Sequence, residues 1–200
     1  MSNIKVLIQA SSRSWAGGRD ICMGLVNGEI AIVRTIKRAL TAFPEAQFCL
    51  VAPEFDRGGE LKGIVDEIAD KRLQAFYGFD ESPLSRMVAA SSELKDDDFI
   101  VRVDGIHFCF DTNLSQQMVS LAQKNNLDCI KLPADFPVHF SSEVFRVGAL
   151  RELVKILDKP ELAKFHVHPK TYFELNRYDY KFEHLGSLPQ YSDDYLRECR

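Results

Sequence analysis

Three stretches carry side chains whose types and spacing suit the handling of phosphate. The first is Ser11 to Arg19, a run of hydroxyls with two adjacent glycines and the arginines Arg13 and Arg19, directly after the apolar run Lys5–Ala10. Backbone N–H groups in such a loop can cradle phosphate oxygens, and guanidinium groups neutralise them. The same composition also describes an ordinary surface loop. The stretch carries neither the G-x-x-x-x-G-K-[ST] nor the G-x-G-x-x-G spacing. The second stretch holds Arg102, set in the apolar run Phe99–Val103. An arginine there needs an anionic partner or a route to solvent. Asp104, two residues on, shares its face if the strand continues. The two read either as a structural ion pair or as a charge cluster facing a ligand. The third stretch is Ser82-Pro83-Leu84-Ser85-Arg86. It puts Arg86 in the first turns of a helix, where arginines also commonly reach out to water.

Two further groups invite attention. His166 and His168 lie two apart, on one face of an extended segment. No third ligand stands at a diagnostic spacing, so they read as ordinary histidines more readily than as half of a zinc site. Glu143 precedes Val144-Phe145 at a strand edge, as a solvated carboxylate or a site carboxylate.

The elements that must position these groups follow from periodicity. Short apolar runs predict strands over Lys5–Ala10, Gln47–Ala52, Leu73–Tyr77, Asp98–Val103, Asp128–Leu132 and Glu143–Val147. Helical spacing predicts helices over Ile30–Phe43, Gly59–Ala69, Leu84–Ser92, Leu114–Lys124 and Gly148–Leu157. Ser82 is the expected N-cap of the third, with Pro83 at its first position. Val167–Leu175 reads as helix or strand, and the tail from about residue 178 as irregular. Strands alternating with helices predict an α/β fold with a mostly parallel sheet flanked by helices. Ligands of such sheets sit outside the carboxyl ends of the strands. That directs attention to the loops after Ala10 and after Val103.

Length and composition set the frame. The chain has 200 residues, 46% hydrophobic and 27% charged, which suits one domain spanning 1–200. A net charge of −4 offers no general polyanion surface and argues against a nucleic-acid partner. The five cysteines, Cys22, Cys49, Cys109, Cys129 and Cys199, form no C-x-x-C and sit mostly in apolar runs. They read as buried free thiols of a reducing, cytoplasmic compartment. No run is apolar and long enough for a membrane span, and the N-terminal residues do not read as a signal peptide.

Several segments, in order, resemble the SpsF-like cytidylyltransferase family of spore-coat polysaccharide synthesis. More distantly they resemble the acylneuraminate and KDO cytidylyltransferases. Ile8-Gln9-Ala10 matches the opening I-I-Q-A of the family's first motif, although the L-P-G-K that follows it there is missing here. Leu25-Val26-Asn27-Gly28-Glu29-Ile30 resembles L-x-G-K-P-[LM]. Gly78 to Arg86 is similar to G-x-x-x-[DN]-V-L-x-R, with Arg86 on its arginine. Asp98 to Gly105 resembles D-x-[IV]-V-R-[IV]-T-G, with Arg102 and Gly105 matching. Phe136 to Phe145 resembles [YF]-P-x-G-x-D-x-E-V-F, with Pro137, Glu143, Val144 and Phe145 matching. Phe165-His166-Val167 is similar to E-H-V. The likeness spans about Lys5 to His168.

This resemblance implies a nucleotide-diphospho-sugar transferase (GT-A-like) fold. It implies transfer of NMP from a nucleoside triphosphate to a sugar, with nucleotide and sugar as small-molecule partners and a homodimer as the expected assembly. An interface over the aromatic tail from Tyr172 to Tyr195 is one use of that tail; covering the core of one subunit is the other. By position, Ala10, Ser11, Ser12, Arg13 and Arg86 would bind the nucleotide. Arg19 and Asp104 would be catalytic, and Arg102, Glu143 and His166 would surround the sugar. Mg²⁺ is implied as well. Ile106 stands where the family's G-D motif has a metal aspartate, and Gln190 falls near its second, which leaves Asp104 as the replacement ligand. Two alternatives share the scaffold: a glycosyltransferase using a nucleotide-sugar, and a non-catalytic relative that has lost its metal site.

Overall fold

The structure is a computed structural model and describes residues 2–14, 16–157 and 159–186. In chain order its elements are β1 (Ile4–Gln9), the hairpin strands β2 (Leu25–Val26) and β3 (Glu29–Ile30), α1 (Ala31–Ala42) and β4 (Gln47–Ala52). There follow α2 (Glu60–Ile68), β5 (Leu73–Tyr77), α3 (Pro83–Ala89), β6 (Phe99–Asp104), α4 (Thr112–Asn125) and β7 (Cys129–Lys131). Last come β8 (Glu143–Arg146), α5 (Val147–Ile156), α6 (Pro169–Leu175) and β9 (Phe182–His184).

Seven strands form one sheet in the order β5-β4-β1-β6-β8-β7-β9. All neighbours are parallel except β8, which runs antiparallel to both β6 and β7. The expectation of a mostly parallel α/β sheet is met. Central parallel strands are buried on both faces, which is why they read as continuous apolar runs. Side-chain alternation then assigns each face. Val6, Ile8, Phe48, Leu50, Val101 and Val103 pack on α1, α2 and α4. Leu7, Cys49, Val51, Ile100 and Phe145 face the opposite layer, built from α3, α5 and α6.

The second face changes character at the carboxyl end of the sheet. Register pairs Leu7 with Arg102 and Gln9 with Asp104. It pairs Arg102 with Glu143, and Glu143 with Lys131. An apolar face thus becomes a polar corner within one or two residues along each strand, at the end where parallel sheets carry their sites.

Three local features differ from the sequence reading. Residues Leu25–Ile30 form a hairpin instead of leading straight into the helix. Its turn is Asn27-Gly28, both at positive φ (50° and 82°), as a type I′ turn requires. The segment around His166, read as extended, is a 3₁₀ stretch, Pro160–His166, while of the two readings of Val167–Leu175 the helix holds, as α6 from Pro169. The tail expected to be irregular from 178 includes β9, which pairs in parallel with β7; at three residues it is too short to show a period. Of the proposed tail interface, Tyr172 packs edge-on against Phe165 at 5.1 Å and Phe173 against Tyr180 at 5.0 Å. These rings cover this chain's own core. Residues 187–200, including Gln190 and Tyr195, lie outside the described residues.

Ser82 caps α3 as expected, its hydroxyl accepting from the Ser85 N–H at 3.1 Å. It also meets His166 Nδ1 at 2.8 Å. Ser82→Ala should cost about 1 kcal/mol. That corresponds to a fall in melting temperature of about 2–4 °C in a chain of this size, readable by calorimetry. Cys22, Cys49 and Cys129 are buried free thiols, and among the described residues no helix is long and apolar enough to cross a membrane.

Candidate functional site

The loops after β1, β4, β5 and β6 meet above the carboxyl ends of their strands and enclose a cavity of about 400 Å³. Two aspartates stitch the loops together. Asp56, 4% exposed, accepts from the Ser12 N–H at 3.0 Å and from the Ser12 hydroxyl. Asp80 Oδ1 accepts from the Phe55 N–H at 3.2 Å. Gly105 closes the floor. A Cβ there would lie 3.2 Å from the Cβ atoms of Ala10 and Cys22 and from Ile32 Cδ1, so a side chain would press on three neighbours at once.

The loop that starts at Ser11 ties several of its N–H groups to itself. Ser14 N donates to Gly18 O, Gly17 N to Ser14 O, and Asp20 N to Ser12 O. Gly17 and Gly18, both at positive φ, form its tip. Toward the cavity the loop presents four residues. Ala10, Ser11, Arg13 and Ser14 line the cavity. Ser12 instead pins the loop to Asp56. Arg19 lies on the outer flank, paired with Glu60 at 2.7 Å with both side chains exposed.

Arg86 rises from α3 into the cavity wall and is 4% exposed. Its Nη1 donates to the carbonyls of Phe79 (2.6 Å) and Asp80 (3.1 Å). With the Gln9 amide assigned oxygen-first, Gln9 accepts from Arg86 Nη2 at 2.5 Å and Nε at 3.2 Å. Every one of these acceptors is neutral. No carboxylate pairs with Arg86 among the described residues. Burial and the nearby Arg102 guanidinium together pull its pKa down to about 10. A buried cation with no carboxylate in direct contact, facing a cavity, can attract an anion. It also holds Phe79 at φ 24°, a sparsely populated backbone conformation.

Beside it lies a denser cluster. Arg102, 4% exposed, donates to Asp104 Oδ1 from Nη2 at 2.8 Å and from Nε at 3.1 Å. Its Nη1 reaches Glu143 Oε2 at 3.4 Å and the Val167 carbonyl at 3.4 Å. Glu143, 2% exposed, also pairs with Lys170 of α6. Burial alone would raise Asp104, but Arg102 and then His107 outweigh it and hold the carboxyl below its ordinary range. Arg102–Asp104 is an ion pair, as the structural reading expects, and both members also line the cavity. Glu143 lies behind Arg102 and does not line it.

The two histidines separate. His166 ends a 3₁₀ stretch, where side chains two apart diverge, so the shared face expected of an extended segment does not exist. Its ring is held between the Ser82 hydroxyl and the Leu157 carbonyl (3.1 Å), away from the cavity. His168 lines the cavity instead. Burial, then the charge of Arg102, lowers its pKa. Phe55, Asp20 and Lys170 are the other site groups that the sequence does not reveal. Lys170 reaches Glu143 across 27 residues of chain, a distance no local pattern encodes.

No protein-family model matches the sequence, and no curated protein matches it. Solved structures do. A cytidylyltransferase from Leptospira borgpetersenii superposes with a TM-score of 0.77 at 18% identity, covering 96% of this chain and 79% of the other. A CMP-2-keto-3-deoxy-manno-octonic acid synthetase complexed with CTP gives 0.67 at 10% identity, covering 92% and 89%. Rv0371c from Mycobacterium tuberculosis, in complex with manganese, gives 0.62 at 13% identity, covering 99% and 98%. The likeness, together with the seven-stranded sheet and its one reversed strand, shows that the chain has the nucleotide-diphospho-sugar transferase fold.

Proposed function

We propose that this chain is a cytidylyltransferase-like nucleotidyltransferase, a single cytoplasmic domain that activates a sugar for surface-glycan synthesis. The observation that carries the reading is Arg86: a buried guanidinium without a carboxylate partner, in a cavity at the strand ends of this fold. Relatives of the fold that act on CTP and sugars support it. In this reading Arg86 and Arg13 neutralise the triphosphate, and Ala10 and Ser11 line its seat while Ser12 holds the loop. The sugar oxygen attacks the α-phosphorus in line, and the bond to the departing pyrophosphate breaks. Such transfers depend mainly on positioning and charge neutralisation. Arg102 presents its charge toward the sugar side. Glu143 orients it from behind, and His166 acts only through Ser82 at the start of α3. Arg19 can reach the phosphates by giving up its exposed partner Glu60.

The resemblance implies Mg²⁺, and the fit rests on Asp104. Its Oδ1 is taken by Arg102, and Oδ2, in a side chain 29% exposed, is 3.9 Å from His107 Nε2. Among the described residues no three Asp, Glu, His or Cys side chains converge on one point. Mg²⁺ commonly takes one or two carboxylates and completes its shell with phosphate oxygens and water. One carboxylate oxygen suits an ion that arrives on the triphosphate, and there it would supply charge neutralisation. Asp104→Asn keeps an acceptor for Arg102 and removes the anion. It should abolish the Mg²⁺-dependent part of CTP binding and leave the binding seen in EDTA unchanged.

The test is a thermal-shift panel of the four NTPs and of UDP-, GDP-, dTDP- and CMP-sugars, with Mg²⁺ and with EDTA. A ligand at 100 times its Kd stabilises by about 2.7 kcal/mol. Stabilisation by one triphosphate is the expected result. Stabilisation by a nucleotide-sugar alone would make the chain a glycosyltransferase. A flat panel would make it a non-catalytic relative, the reading that the tied-up Asp104 Oδ1 favours.

A further inference from the structure

Phe55 occupies the short 3₁₀ turn Glu54–Asp56 directly after β4. Its ring lines the cavity, yet the residue is 46% exposed. A large apolar side chain left half in water at the rim of the cavity can offer a ring face to a ligand. The Arg13 guanidinium lies over that ring, 5.5 Å from its centroid.

The backbone beneath the ring is fixed from both sides. The Phe55 N–H is held by Asp80 Oδ1, and the next residue, Asp56, holds Ser12. Asp80 also joins the ring to the buried cation, because its backbone carbonyl accepts from Arg86. One residue thus touches Phe55 through its carboxylate and Arg86 through its carbonyl. An aromatic face and a buried cation with no carboxylate in direct contact stand on two sides of a single residue, in one cavity. A ligand that fills this arrangement is flat at one end and anionic at the other.

We infer that Phe55 is the platform on which the base of the nucleotide stacks, a role that rests on the nucleotidyltransferase reading above. The base replaces Arg13 over the ring, and Arg13 then turns to the phosphates. Stacking on a π-face is tolerant of base identity. Phe55 therefore sets the preference for a nucleoside triphosphate over bare polyphosphate, not the choice among bases.

The experiment is calorimetric titration of the full chain with CTP and, separately, with inorganic tripolyphosphate. The variants are Phe55→Ala, Phe55→Leu and Phe55→Trp. Phe55→Ala and Phe55→Leu should weaken CTP binding about tenfold or more, the effect typical of removing a stacking partner. Tripolyphosphate affinity should stay unchanged, and Phe55→Trp should keep CTP binding. Equal loss for both ligands, full CTP affinity in Phe55→Leu, or wild-type protein that binds tripolyphosphate as well as CTP would each overturn the stacking role while leaving anion binding intact. Wild-type protein that binds neither ligand would overturn the nucleotidyltransferase reading itself, and the stacking role with it.

Discussion

Replacing Glu143 with alanine should lower stability by about 3 kcal/mol, the low end of what removal of one partner from a buried ion pair costs. At about 2–4 °C per kcal/mol for a chain of this size, the melting temperature should fall by about 6–12 °C. The reason is charge, since a 3%-exposed carboxylate sits between Arg102 and Lys170. Lys170, 24% exposed, can extend its ammonium to water when the carboxylate is gone. Arg102, 4% exposed, cannot, and is left with Asp104 alone. The asymmetry places the cost at the low end of the range. It also predicts that Glu143→Gln, which keeps shape and an acceptor, loses less. Adding Lys170→Met to Glu143→Ala should recover little of the loss, because the charge left buried is that of Arg102. Calorimetric melting of the three variants decides the matter. A loss under 1 kcal/mol in Glu143→Ala would mean that the cluster is not under electrostatic load.

This corner of the molecule also marks where sequence reasoning stops. Gln47–Ala52 is legible to the residue because a strand buried on both faces is a nearly continuous apolar run; the edge strand Leu73–Tyr77 is legible too, although Gln74 interrupts its run. Arg102 is legible as an anomaly for the same reason, being the one charge inside such a run. Its partners are not. Asp104 lies within the period of the strand and could be named. Glu143 is brought opposite Arg102 by an antiparallel register 41 residues away, and Lys170 by a helix beyond that. His166 is singled out by the likeness to E-H-V, but the 3₁₀ turn that ends at it holds its ring on Ser82, and His168 lines the cavity instead. Phe55 had no signal, since an aromatic residue after a strand reads as core. The folding elements are local facts of the chain. The cavity is made by loops after four strands, β1, β4, β5 and β6, that are neighbours only once the sheet has formed; the loops after β1 and β6 are the two the sequence points to.

Arg86→Met should weaken triphosphate binding by about tenfold or more and should not lower the melting temperature. The two halves of this expectation have one cause. Arg86 keeps a buried charge with no carboxylate in contact; Asp80 and Asp56 act on it only from a distance, and burial and Arg102 outweigh them and bring its pKa down to about 10. Folding therefore bears an electrostatic cost, and a flexible apolar side chain of similar length removes it. What the variant gives up is three hydrogen-bonded contacts to neutral acceptors. Two of them are to Phe79 and Asp80, exposed loop residues that water can reach. An arriving triphosphate, by contrast, loses a charge-assisted contact worth about 1.5–3 kcal/mol. The signature is loss of function without loss of stability, as expected where a protein tolerates strain for the sake of a ligand. Titration with CTP and a melting curve on the same preparation test both halves. A lower melting temperature with CTP affinity retained would make Arg86 a structural arginine that holds the Phe79 turn, and would remove the observation on which the nucleotide site rests.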